Sequence, residues 1–313
     1  MISAGQAASS SQVPSDAAVA AAKAIGWKVD LYDAALNPSK YAPLVRQAIA
    51  ANADGIVLDA IDCQTVKEPL KEAKAKHIAV IGIYAFDCDD SKGGGEKEGL
   101  YSAQINFGPD AKDIDAFTES YGADQANYII ANSDNKAKII AINDPEFTVL
   151  LWTLSGFKKA IEKSGGSEIV DTLDVTTADL TSNKIVPKIQ AELLRHPEAT
   201  WIKSPYTYVT TLGIAPALGA NPKHISVMGG EGFAAELDLI RQGKITATNG
   251  ISSKWTGWAS IDTMNSVFAD KKPVDSGIGW TMVDKDHNLP ASGDYTPPID
   301  YQAAYQKAWG VSG

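Results

Sequence analysis

Apolar residues along this chain fall into short unbroken runs separated by amphipathic stretches. Gly55-Ile56-Val57-Leu58-Asp59 and Ile78-Ala79-Val80-Ile81-Gly82-Ile83-Tyr84 are continuous apolar runs of strand length. That is the pattern of strands covered by helices on both faces. A helix is expected over 17–25 and a strand over 27–32. Asn37-Pro38-Ser39 then reads as a helix start with Ser39 as N-cap. The helix after it carries Tyr41, Leu44, Val45, Ala48 and Ile49 at helical spacing, and another is expected over 66–76. Residues 90–99, with Gly93-Gly94-Gly95, break the pattern and predict a mobile loop. A strand over 102–107 and a turn at Gly108-Pro109 close the first half.

The alternation then restarts. Helices are expected over 111–131, 149–163, 182–195 and 234–242, with another reaching Leu218. Strands are expected over 138–142, 168–173, 200–203, 225–228 and 245–250. A helix over 255–269, a strand over 277–283 and a last helix over 301–309 follow. Repeated strand–helix–strand units imply parallel, doubly wound sheets. The expectation is therefore an α/β protein of two similar lobes.

The chain's 313 residues suit two domains. Its 44% hydrophobic and 21% charged residues are normal for a globular protein. A net charge of −10, with no basic run, argues against nucleic acid as a partner. No apolar stretch approaches the ~20 residues that span a bilayer. Met1-Ile2-Ser3-Ala4-Gly5 lacks the basic and apolar regions of a signal peptide and reads as a truncated or mature start.

Ligands of open parallel sheets sit outside the carboxyl ends of the strands. The candidates there are Ser10 and Gln12 before the first long helix, then Tyr84, Phe86 and Asp87, with Asp59 and Asp62 beside them. From the second half come Asn143, Asp144, Tyr206, Glu231, Ser253 and Trp255, with Trp152 in the helix after Asp144. Taken singly, a strand-end Asp or Ser more often caps the next helix, and Trp152 fits a helical core pattern. Their recurrence at one sheet edge in both halves is the stronger signal. Aromatic faces mixed with carboxylates and amides suit a sugar ring, which offers C–H faces for stacking and hydroxyls for hydrogen bonds.

Several passages in order resemble the type I periplasmic sugar-binding proteins, which include the ribose and galactose receptors. They are Asn52-Ala53-Asp54-Gly55-Ile56-Val57-Leu58, Ile78 through Asp87, Gly156-Phe157, Ala217-Leu218-Gly219-Ala220 and Met228-Gly229-Gly230-Glu231-Gly232. The resemblance covers essentially the whole chain. It implies a cleft between two lobes and a hinge of three crossing strands near Phe107, Gly250–Ser253 and Gly277–Thr281. It implies lobes of residues 1–106 plus 252–277 and of 107–251 plus 278–313. It also implies a monomeric, exported and membrane-anchored lipoprotein that delivers solute to an ATP-driven permease, without cofactor, metal or catalysis. Asp87 falls near the family's acidic ligand group, Glu231 takes the place of its usual Asp, and Tyr206 or Ser204 stands where Asn is common. No Arg lies next to Asp87 or within 143–153. That departure points away from ribose toward a neutral hexose or polyol, with a cation as the outside case.

Cys63 and Cys88 are the only cysteines, each just beyond the carboxyl end of neighbouring strands. Two buried thiols are the plain reading. Strands ~5 Å apart make a bridge geometrically reasonable, and an oxidising compartment would preserve it.

Three other readings share some of these residues. Asp87-Cys88-Asp89-Asp90-Ser91 matches the D-x-D-x-[ST] of haloacid-dehalogenase-type phosphotransferases, a short pattern whose further partners have no clear place here. Asp87, Asp89, Ser91 and Glu98 mimic a calcium loop, but Lys92 stands where Gly is required, so a solvated loop is expected. The effector-binding half of a sugar-responsive repressor would need an N-terminal helix-turn-helix, for which too few residues precede the first unit. His77, His196, His224 and His287 form no pair at helical ligand spacing.

Overall fold

The unbroken apolar runs become the central strands of two separate sheets. A computed structural model describes residues 1–108, 113–219 and 224–311. The expected turn residue Pro109, helix start Ala111 and motif residue Ala220 lie outside them. The first sheet has four parallel strands, β1 (Ile2–Ser3), β2 (Tyr32–Asp33), β3 (Gly55–Asp59) and β4 (Ala79–Ile83), in the order β2-β1-β3-β4. Its helices are α1 (Ser9–Ala24), α2 (Tyr41–Ala50) and α3 (Lys67–Ala75). Alternate residues of β3 feed opposite cores. Ile56 and Leu58 pack with Val45, Ile49 and Leu70 of α2 and α3, whereas Val57 packs with Ala18 and Ala21 of α1.

The second sheet has six strands, β5 (Lys138–Asn143), β6 (Glu168–Asp174), β7 (Trp201–Lys203), β8 (Ser226–Met228), β9 (Ala247–Ile251) and β10 (Trp280–Asp284), in the order β10-β9-β8-β7-β5-β6. All neighbours are parallel except β9 and β10. Helices α4 (Ile114–Ala131) and α5 (Thr148–Ser164) cover one face. The short helix α6 (Thr177–Thr181), α7 (Ile185–Arg195), the turns α8 (Thr207–Val209) and α9 (Ala215–Gly219), and α10 (Ala234–Arg241) belong to the rest of this lobe. Glycine sets the α4–α5 spacing. A Cβ on Gly122 would stand 1.9 Å from the Thr153 carbonyl oxygen, and one on Gly156 1.9 Å from that of Glu119.

The chain then returns. Helix α11 (Ser253–Phe268) packs on α1 and β4, so it belongs to the first lobe. A Cβ at Gly257 would meet the Pro14 carbonyl oxygen at 2.4 Å, which explains that close crossing. The last helix, α12 (Tyr301–Trp309), stacks on α11. Tyr301 lies 5.2 Å from Trp255 and Trp309 5.5 Å from Trp258, ring centre to ring centre. The polypeptide thus passes between the lobes beyond Ala103, at Ile251–Ser253, between Asp275 and Trp280, and once more between β10 and α12.

Several expected elements differ. The strand over 27–32 shrinks to Tyr32–Asp33, because its partner β1 offers only Ile2 and Ser3 for pairing. Strand β1 itself, two residues long, carries no periodic signal. The strand over 102–107 reduces to single bridges, Ala103 to Ile81 and Asn106 to Asp275. It leaves one sheet's edge for the crossing before a ladder can form. Asn37, not Ser39, is the cap, its side chain accepting the Ser39 N–H at 3.0 Å. Helix α1 begins at Ser9, eight residues before the periodicity suggests, and holds Pro14 inside it.

Candidate ligand-binding site

The carboxyl ends of both sheets face a common cleft, and a cavity of about 110 Å³ lies between them. Ser10, Ala60 and Tyr84 line it from the first lobe. Phe117 and Tyr121 of α4, Phe147, Tyr206, Tyr208 and Glu231 line it from the second. Its walls are mostly aromatic and aliphatic, with a few polar atoms, as in small-molecule sites generally. No lysine or arginine is among the lining residues.

Glu231 is the carboxylate at the seam. Its Oε2 accepts the Ser10 hydroxyl at 2.7 Å and the Thr207 N–H at 3.0 Å, so it ties α1 of one lobe to α8 of the other. Burial pushes its pKa up to about 7, and no cation opposes this. The loop that carries Glu231 is built on Glu236, a fully buried carboxylate on α10. The N–H groups of Gly230, Glu231 and Gly232 donate to it at 2.7, 3.0 and 3.0 Å. The hydroxyls of Thr207, Thr210 and Thr248 donate at 3.1, 2.7 and 2.7 Å.

Asp144 is fully buried beneath the cavity. It accepts the Tyr206 hydroxyl at 3.0 Å and the Glu146 N–H at 3.2 Å, and burial pushes its pKa up to about 7. It thereby aims a ring that does line the cavity. Tyr84 plays the matching part in the first lobe. Its backbone sits at φ 47°, in the left-handed region, which costs ~1–3 kcal/mol and concentrates at functional sites. Its hydroxyl is held by Thr256 at 2.9 Å and Ser253 at 3.3 Å on α11.

Two more contacts close the lobes over the cavity. Asp62 accepts the Phe86 N–H at 2.8 Å within its own lobe and the Thr148 N–H of α5 at 3.0 Å across the gap. At the rim, the Trp152 indole donates to both Asp90 oxygens at 3.1 and 3.2 Å, and the Lys92 ammonium stands 4.0 Å from the Trp152 ring centre. The rim loop is pinned twice. A disulfide joins Cys63 to Cys88, and Asp87 accepts the N–H groups of Cys88, Leu100 and Tyr101 at 2.7, 2.7 and 3.0 Å.

Of the twelve candidates from sequence, Ser10, Tyr84, Tyr206 and Glu231 line the cavity, and eight do not. Asp144 and Ser253 stand directly behind lining tyrosines, and Trp152 clasps the rim. Asp87 does not face the cavity and instead accepts three backbone N–H groups of the rim loop. Phe86 is buried in the first lobe's core. Trp255 stacks on Tyr301 and donates to the Tyr305 hydroxyl at 3.3 Å. Asn143 turns its amide to Asp174 at 2.9 Å. Gln12 is exposed on α1, one residue from the buried Ser11. Sequence reasoning missed Phe117, Tyr121 and Phe147. The first two lie on a helix face rather than at a strand end, so the strand-end rule passes over them.

A model of the periplasmic binding protein domain matches residues 11–272. The chain belongs to that family. Solved structures of the same fold agree. A glucose-galactose binding protein from Geobacillus stearothermophilus is 18% identical, with a TM-score of 0.75 over 91% of this chain and 96% of its own. An Agrobacterium vitis transporter solute-binding protein bound to α-D-tagatopyranose is 20% identical, with a TM-score of 0.76 over 95% and 98%. A Mycobacterium smegmatis solute-binding protein with glycerol is 22% identical, with a TM-score of 0.73 over 95% and 98%. No curated protein sequence matched. Among the described residues, no helix of this periplasmic binding protein is long and apolar enough to cross a membrane.

Proposed function

We propose that this protein is the extracytoplasmic receptor of an ATP-driven importer and that it binds one small neutral sugar or polyol between its lobes. The observation that carries the reading is the shared cavity. Aromatic rings from both lobes wall it, and Glu231 and the Asp144–Tyr206 pair supply hydrogen bonds without any cationic side chain. The rings would cover the C–H faces of a sugar, and the carboxylate would accept its hydroxyls. Ligand that touches both lobes shifts an open–closed equilibrium toward closed, the form a permease would recognise. Similar proteins bound to tagatose and glycerol support this ligand class.

The lobe limits we propose are 1–106 plus 252–277 and 107–251 plus 278–300. Residues 301–309 join the first lobe because α12 stacks on α11. The role needs no catalysis, no nucleic acid and no second copy, and the Cys63–Cys88 disulfide favours an exported location.

One observation favours a second reading. Asp59, Asp62, Asp144, Glu146 and Glu231 gather about the cleft, and no lysine or arginine lines the cavity. A cationic amine would favour the ionised form of carboxylates that burial now holds toward neutral, and would also be drawn to the ring faces. Melting curves with hexoses, pentoses, polyols and amines separate the two. A rise with a neutral polyol, lost in Tyr206→Ala, supports the first reading. A rise with amines alone, growing as pH increases through 7, replaces it with the second.

A further inference from the structure

A cluster on the far side of the second lobe has no place in ligand binding. Asp171 lies on β6, the edge strand, where the β5–β6 register shifts between Ile139 and Ile140. Bulges of this kind re-aim a side chain. Glu192 and His196 come from the end of α7, four residues apart and hence on one face. His196 Nε2 lies 3.2 Å from Asp171 Oδ2 and 3.3 Å from Glu192 Oε1. We propose that Asp171, Glu192 and His196 form a binding site for a divalent transition ion of the zinc class.

Three features support it. The first is spacing. A tetrahedral ion ~2.05 Å from each ligand holds those ligands about 3.3 Å apart, and the two separations from Nε2 match. The second is Glu192. Its side chain is 1% exposed, and its Oε1 is buried without a well-aligned hydrogen bond, although His196 Nε2 faces it at 3.3 Å. A buried oxygen left so is unfavourable, and an ion at this point would satisfy it.

The third is the support around the ligands. His196 Nδ1 meets Glu198 Oε1 at 3.2 Å, which leaves Nε2 for an ion. Asp171 Oδ1 accepts the Thr172 N–H at 2.7 Å, and Glu192 Oε2 accepts from Arg195. Each ligand is thus fixed through its other atom. One imidazole with two carboxylates suits zinc, nickel or cobalt better than calcium or magnesium. His196 is 21% exposed and Asp171 40%, so water can complete the coordination. Histidine spacing alone does not reveal the site, because it joins a Glu-x-x-x-His pair to an Asp from a different element.

The same contacts would arise if a protonated His196 were shared among the carboxylates, and titration calorimetry with Zn²⁺ on the chelator-stripped full chain decides between the two. At pH 7 the wild type is expected to bind one ion and release protons. His196→Gln, a change at the partly exposed member, should weaken binding ~100-fold or more. Asp171→Asn should weaken it as well, with both variants still melting cooperatively. Co²⁺ in the wild type should give the visible absorption of a site with fewer than six ligands, and His196→Gln should lose it. No Zn²⁺ binding below about 1 mM, or binding that survives His196→Gln unchanged, overturns the proposal.

Discussion

Replacing Glu236 by Gln tests how the site is held. The carboxylate accepts six donors, three of them backbone N–H groups of the loop that presents Glu231. An amide keeps one oxygen. If the amide nitrogen takes the Oε1 position, the Gly230 N–H loses its acceptor, while the Thr210 hydroxyl can turn to accept. If it takes the Oε2 position, the N–H groups of both Glu231 and Gly232 are orphaned, so the first arrangement should prevail. One buried donor left unpaired costs ~1–3 kcal/mol, and the remaining bonds fall from charge-assisted to neutral strength. The sum is about 2–4 kcal/mol, or a drop in melting temperature of roughly 4–16 °C at the ~2–4 °C per kcal/mol of domains this size. Scanning calorimetry measures the drop, and ligand titration should show weaker binding because Glu231 loses its footing. A variant that melts within 1 °C of wild type and binds equally well would refute this account of the loop.

Lys203 is fully buried with no hydrogen-bond partner for its ammonium among the described residues, and burial pushes its pKa down to about 7. Its unfolded value is ordinary, so the unfolded state binds the extra proton between pH 7 and about 10. Lys203→Met should therefore stabilise by ~3–5 kcal/mol at pH 6–7, with the gain fading toward pH 10, as urea melts at each pH would show. The carboxylates act in a lower window. Glu231 and Asp144 are both raised to about 7, so the folded state holds protons that the unfolded state releases. Their contribution is intact below about pH 4 and drains as pH rises through 7; Glu231→Gln should flatten that slope, and an unchanged slope would contradict the assignment. Removing the disulfide by Cys63→Ala with Cys88→Ala opens a loop of 25 residues. About 3–4 kcal/mol of stability should go with it, readable as a shift in denaturant midpoint that reductant reproduces in the wild type.

Much of the fold is legible in the sequence because β3, β4 and β5 are buried on both faces and so read as unbroken apolar runs. What escapes notice is short or carried by few residues. Strand β1 is two residues long, and β2 can extend no further than its partner. The α4–α5 crossing depends on two glycines whose role appears only when the Thr153 and Glu119 carbonyl oxygens are in place. The antiparallel turn of β10 against β9 has no sequence signal, since a strand that closes a hinge has the same pattern as one that adds to a sheet.

The site was less legible for a reason that also explains its design. Sequence position identifies residues near the strand ends, but not whether each faces the cavity or supports one that does. Asp144, Ser253 and Glu236 are all near the cleft, and each holds a group that reaches the cavity: Tyr206, Tyr84 and the Glu231 loop. The contacting groups are therefore aromatic rings and one carboxylate, and Tyr206, Tyr84 and the Glu231 loop are each locked by a partner within their own lobe. Among the described residues, the hydrogen bonds and ion pairs that cross between the lobes are few: Ser10 to Glu231, Asp62 to Thr148, Asp90 to Trp152, and Lys254 to Asp294. A cleft made this way has lobes rigid enough to preserve its ring geometry when it opens. Closure then depends on a handful of hydrogen bonds, each worth ~0.5–3 kcal/mol, small enough that a bound solute can decide the balance.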